Sequence, residues 1–136
     1  MDVVLVLGRV LLVALPIFSG LTVHQSRDGV EAARASGAPA PELLVPLSGA
    51  GLAAGGLMVA LGLWADAGAL ILIATLAPIT YYMHAFWKLE GMDRVMQQTN
   101  FFKNLAMIGG WVVVFWAYNQ GQDLPASLTD ALFGRI

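Results

Sequence analysis

Cysteine is absent from the 136 residues. That excludes disulfides, thiolate metal ligation, iron–sulfur clusters and cysteine nucleophiles. Any redox chemistry involving this chain must use a bound cofactor or a partner. Charge is scarce too: 12% of residues are Asp, Glu, Lys or Arg, where a soluble domain carries about a quarter. Seven basic and nine acidic residues leave a net charge of −2, with no basic surface to engage a nucleic acid. There is no phosphate-binding glycine loop, nucleophile elbow or dinucleotide fingerprint. The two histidines, His24 and His84, fall in different segments without a carboxylate at helical ligand spacing, so no metal site is expected.

What the chain has in quantity is apolar surface. Hydrophobic residues make up 58% and mean hydropathy is +0.73. A helix needs roughly 20 apolar residues to cross about 30 Å of hydrocarbon, and four runs are long enough: 3–23, 43–63, 68–87 and 101–119. Hydrocarbon offers unpaired backbone groups no partner, so each run should be helical. Long continuous runs exclude a barrel of short alternating strands. The expected fold is all-α: one domain spanning 1–136, with four transmembrane helices in an antiparallel bundle. The first run is too long for the core of a signal peptide. No basic segment precedes it and no Ala-x-Ala-like site follows it, so it is expected to remain in the mature protein. No lipidation box or carboxyl-terminal anchor signal is visible.

The connections add detail. Asp28–Ser36 reads as a short surface helix stopped by Gly37, after which Pro39, Pro41 and Glu42 lead into the second span. Trp64–Ala67 reads as a tight turn, with Asp66 as amino-terminal cap of the next helix. Lys88–Asn100 is a polar connection, and Leu124, Leu128 and Leu132, four apart, suggest a short interfacial helix. Trp64, Trp87 and Tyr118 stand at run ends, as an aromatic belt would. Arg27, Arg34, Lys88, Arg94 and Lys103 gather on one side, against Arg135 on the other. The positive-inside tendency then puts both termini outside the cytoplasm.

Arg9 is the single charge deep in a span. An arginine at mid-membrane costs about 2.5–3.5 kcal/mol on insertion scales, so it either contacts an acid or anionic group in the bundle or snorkels to the interface. Arg9, Pro16 and Gly20 share one helix face, which favours the inward direction. At the opposite mouth, Thr80, Tyr81 and His84 end the third span, while Lys103 and Asn104 open the fourth. Lys103 shares a small-residue face with Ala106 and Gly110, which would carry it inward. Tyr81, His84, Lys103 and Asn104, with His24 and Glu42 nearby, form a polar rim suited to a carbonyl head group such as a quinone, the one cofactor suggested. Ordinary interfacial polarity would also account for each of them singly. Gly51 and Gly55 form a GxxxG pair, continued by Gly56 and Ala60. This face fits close packing within the bundle, or alternatively a homodimer.

Three stretches resemble the DoxX family of small bacterial four-span membrane proteins. The first is Leu7-Gly8-Arg9-Val10-Leu11-Leu12 with Ile17-Phe18-Ser19-Gly20-Leu21. The second is Ala35-Ser36-Gly37-Ala38-Pro39-Ala40-Pro41, with Gly56 and Leu61-Gly62-Leu63 further on. The third is His84-Ala85-Phe86-Trp87, followed by Phe101-Phe102-Lys103-Asn104-Leu105-Ala106-Met107-Ile108-Gly109-Gly110. Together they cover about residues 5–115. Family members often carry a glutamate in the second helix, whereas Gly49–Leu52 holds no acid, so a role for that acid does not transfer. The resemblance implies a bacterial cytoplasmic (inner) membrane and, for some members, association with membrane oxidoreductases. The expected function is therefore a subunit or accessory protein of an oxidoreductase system, binding a quinone or anchoring a soluble or membrane redox partner. No complete catalytic set is present for a stand-alone enzyme. The alternatives are a non-enzymatic scaffold or assembly factor and, further off, a small-molecule or lipid carrier.

Overall fold

A computed structural model describes residues 2–120 and 126–133. Five α-helices follow in order: α1 (Asp2–Leu21), α2 (Arg27–Ala35), α3 (Pro41–Leu61), α4 (Ala65–Met83) and α5 (Gly91–Asn119), with single 3-10 turns at Val23–Gln25 and Phe86–Lys88. All except α2 are long and apolar enough to cross a membrane. The protein is an all-helical, multi-pass membrane protein, and no strand occurs among the described residues.

α2 forms where the sequence predicts it. Ser26 caps its start, accepting from the Gly29 amide at 3.0 Å. Its end curls through Gly37 at φ +83°, while the Ala38 amide bonds the Ala33 carbonyl. Arg34 and Glu42 pair across the following turn. The polar connection expected at 88–100 is instead mostly helix, because α5 begins at Gly91. Its 29 residues rise about 43 Å, well beyond the hydrocarbon. The tail is also revised: residues 126–133 form turns and bends, not an interfacial helix. Leu124, Pro125 and Arg135 lie outside the described residues.

α3 lies between α1 and α4, and α4 in turn packs on α5. Glycine permits both close approaches. A β-carbon on Gly20 would sit 2.5 Å from the Gly49 carbonyl oxygen, and one on Gly55 would sit 2.9 Å from that of Gly68. Gly51 faces Thr75 of α4, while Gly56 faces Ile17 and Val13 of α1. The glycine-rich face is consumed inside one protomer, which removes the feature that suggested a homodimer. Between these contacts sits a core of Val13, Leu52, Val59, Leu72, Leu76 and Trp111.

α1 and α5, the first and last helices, scarcely meet along their backbones. They touch where Leu12 covers Gly110 and where Arg9 reaches Tyr118, both in the half that holds the start of α1 and the end of α5. In the other half they stand apart.

These contacts set a paired expectation for stability. Gly55→Leu should lower the melting temperature in detergent, because forced overpacking costs about 1–3 kcal/mol. Gly109→Leu should not, since a β-carbon there meets nothing within 4 Å. Equal melting profiles for the two variants would refute backbone approach as the packing device.

Candidate functional site

The gap between α1 and α5 opens into a cavity of about 760 Å³. Leu15, Pro16 and Ser19 of α1 line it, together with Leu44, Val45, Ser48 and Leu52 of α3, Thr75, Ile79 and Tyr82 of α4, and Lys103, Asn104 and Met107 of α5. α2 lies over its mouth through Gly29, Ala32 and Ala33. His24 and His84 complete the wall. Most of this lining is apolar, with a few polar groups near the mouth, the usual composition of a site for an amphiphilic small molecule.

The rim residues are distributed differently from the expectation. Helix α4 stops at Met83, and His84 leaves it at φ −121°, so its side chain does not continue the face of Tyr81. Tyr81 is 60% exposed and lies outward beside Trp87, ring centroids 5.9 Å apart and planes tilted by 43°; Tyr82 lines the cavity in its place. Stepping the apolar stripe of α4 from Leu72 through Leu76 by threes and fours reaches Ile79, Tyr82 and Met83, and that periodicity could have picked the right tyrosine. His84 Nδ1 lies 2.7 Å from Gln97 Oε1, a partner hidden from sequence because residues 91–100 read as a loop. Lys103 is exposed at the rim and donates to Asn100 Oδ1 at 3.0 Å. The buried face of α5 runs through Asn104, Met107 and Trp111; of the small-residue stripe, Ala106 is exposed, Lys103 reaches the cavity only from its exposed rim, and Gly110 meets Leu12 of α1. Asn104 is 4% exposed and donates to Thr80 Oγ1 at 3.1 Å. His24 folds back on α1, its Nδ1 3.0 Å from the Ser19 carbonyl.

Arg9 lies at the opposite, closed end. It turns inward with 3% exposure, as its shared face with Pro16 and Gly20 predicts, and does not snorkel. Nη1 donates to Tyr118 Oη at 2.5 Å and Ser127 Oγ at 3.0 Å, and Nη2 donates to the Ala126 carbonyl at 2.9 Å. Among the described residues its partners are neutral oxygens and not an acid. Tyr118 is accordingly buried and does not belong to an interfacial belt.

The tail is held at this end by its backbone. Gly62, at φ +64°, accepts from the amides of Leu128 and Thr129, and the Trp64 amide donates to Thr129 Oγ1 at 2.7 Å. Asp66 is fully buried. Trp64 occupies the cap position of α4, which frees the Asp66 carboxylate to accept from Leu132 and Phe133 at 3.0 and 2.9 Å. Residues 126–133 thus close one end of the bundle, and the cavity occupies the other. No cluster of His, Asp or Glu among the described residues has metal-binding geometry.

The sequence model of DoxX matches residues 4–85. The chain belongs to the DoxX family. The match takes in Arg9, His24, Tyr82 and His84 and stops short of Lys103 and Asn104, although the α5 motif resembles the family too. No curated protein matches the chain, and no solved structure does. Within this DoxX protein the two ends differ in kind: one sealed by charge-assisted hydrogen bonds, one open.

Loss of the Asp66 carboxylate should release the tail. Each charge-assisted bond is worth about 1.5–3 kcal/mol, so Asp66→Ala should speed hydrogen exchange at the Leu132 and Phe133 amides and expose the tail to protease. Asp130→Ala, at an exposed position, should do neither. Unchanged exchange in Asp66→Ala would refute the clamp.

Proposed function

We propose that this DoxX protein is the membrane component of a bacterial oxidoreductase system and holds a quinone-class redox lipid in the cavity between α1 and α5. The observation that carries the reading is the cavity itself: about 760 Å³, apolar through the bundle, with His24, His84, Lys103 and Asn104 near one mouth. A ring of that class would lie among the polar groups, with its isoprenoid or alkyl tail in the apolar part and leaving through the gap toward lipid. Lys103 would supply a cationic donor at the rim, Asn104 a fixed amide, and the histidines ring nitrogens that can donate or accept.

A second reading, as a scaffold or anchor for a redox partner, is favoured by the start of α5. It extends past the bundle with Met92, Val95 and Met96 exposed on one stripe, a surface that a partner chain could cover. The two readings are compatible: a docked partner would stand next to the cavity mouth.

Purification in mild detergent followed by lipid extraction and mass spectrometry should recover a quinone-class molecule. Lys103→Met should lose it while melting like the parent. Full retention by that variant would remove Lys103 from the site, and recovery of no such molecule from the parent would sink the reading.

The same reading assigns the cavity mouth and the start of α5 to the cytoplasm of a bacterial inner membrane, with Asp2 and Asn119 near the outer face. A periplasm-active reporter fused after Ile136 should be active. A reporter there active only in the cytoplasm would invert the orientation.

A further inference from the structure

The hydrogen-bonding groups of the cavity wall are unequally committed within the protein. Thr80 Oγ1 spends its single proton on the Leu76 carbonyl, 2.7 Å away. Toward Asn104 the hydroxyl can therefore only accept, which fixes the Asn104 amide with Nδ2 on Thr80 at 3.1 Å. Oδ1 is left as the group that Asn104 turns to the cavity it lines, and it is not among the orphaned buried atoms. His24 Nδ1 lies 3.0 Å from the Ser19 carbonyl and 3.2 Å from Ser19 Oγ; the carbonyl has no proton to give, so the tautomer protonated at Nδ1 is the one that serves both oxygens. A neutral imidazole protonated at Nδ1 offers a lone pair at Nε2. His84 is set the same way by Gln97 Oε1 at 2.7 Å.

Three cavity-lining side chains thus each present an acceptor, on α5, after α1 and after α4, while the Asn104 amide keeps a second N–H. Lys103 is the cationic donor, but it is exposed at the rim and already engaged with Asn100; the Thr75 and Tyr82 hydroxyls on the wall can donate as well as accept and so favour neither form of the ring. A quinone carbonyl only accepts, and a ring hydroxyl also donates. Resting on the reading of the cavity as a quinone-class site, we propose that it selects the hydroxyl-bearing, reduced ring over the oxidised quinone. Asn104 Oδ1 and the two histidine Nε2 atoms are the receiving groups. Thr80, outside the cavity wall, is a positioning residue: it acts by setting which end of the Asn104 amide the ligand meets.

The test is calorimetric titration of the detergent-purified protein, under argon, with a short-chain alkyl-benzohydroquinone and with the matching benzoquinone. The hydroquinone should bind about tenfold more tightly, the advantage of one or two buried hydrogen bonds. Thr80→Val keeps the side-chain shape but frees the amide to turn. It should bring the two affinities together chiefly by weakening the hydroquinone, with the melting temperature confirming a folded bundle. Equal binding, or a preference for the quinone, in the parent protein would overturn the selectivity and leave the proposed function standing. An undiminished preference in folded Thr80→Val would overturn it as well. Binding of neither compound would overturn both.

Discussion

The backbone contacts of α3 with α1 and α4 govern the rest of the molecule. In a bilayer, helices gain little from hiding apolar surface from one another, because lipid is equally apolar; close packing and hydrogen bonds must hold them. Gly20 against Gly49 and Gly55 against Gly68 provide that packing on either side of α3. With α3 between two tightly docked neighbours, α1 and α5 are left to close the bundle across a wider gap, and they do so at one end only.

That asymmetry sorts the polar residues into two groups with different tasks. At the closed end Arg9 bonds Tyr118, Ser127 and Ala126 while Gly62 and Asp66 accept from tail amides, and together they fasten residues 126–133 onto the bundle. A charged guanidinium and a buried carboxylate are tolerable there because each finds several hydrogen-bond partners. At the open end His24, His84, Asn104 and Lys103 keep part of their hydrogen-bonding capacity unspent around a cavity with apolar walls. Unspent capacity beside an apolar space is what a ligand site requires.

Much of this was legible in sequence where a single periodicity decided the outcome. The four apolar runs specify four spans, Ser26 and Gly37 bracket α2, and Arg9 with Pro16 and Gly20 points inward. The misreadings come from features set by distant partners. Asp66 reads as a helix cap from its neighbours alone, but its carboxylate bonds amides 66 and 67 residues further on. Tyr118 reads as a belt residue until Arg9, 109 positions away, meets its hydroxyl. Tyr81 shares a face with His84 only if α4 runs through residue 84, and its end at Met83 turns His84 away. Lys103 reaches the cavity from an exposed rim position because the exposed face of α5 takes in Ala106 as well, and only Gly110 of that small-residue stripe packs against α1.

One end of the α1–α5 seam is shut and the other is open. Pulsed electron resonance distances between spin labels test it directly. One pair, at Phe18 and Phe102, would report the open end, and a second, at Leu11 and Val113, the closed end; all four residues are exposed. The closed-end distribution should be narrow and indifferent to added alkyl-benzohydroquinone. The open-end distribution should be broader and should sharpen or shift when that compound is added. Two narrow distributions, neither responding to the compound, would contradict the account.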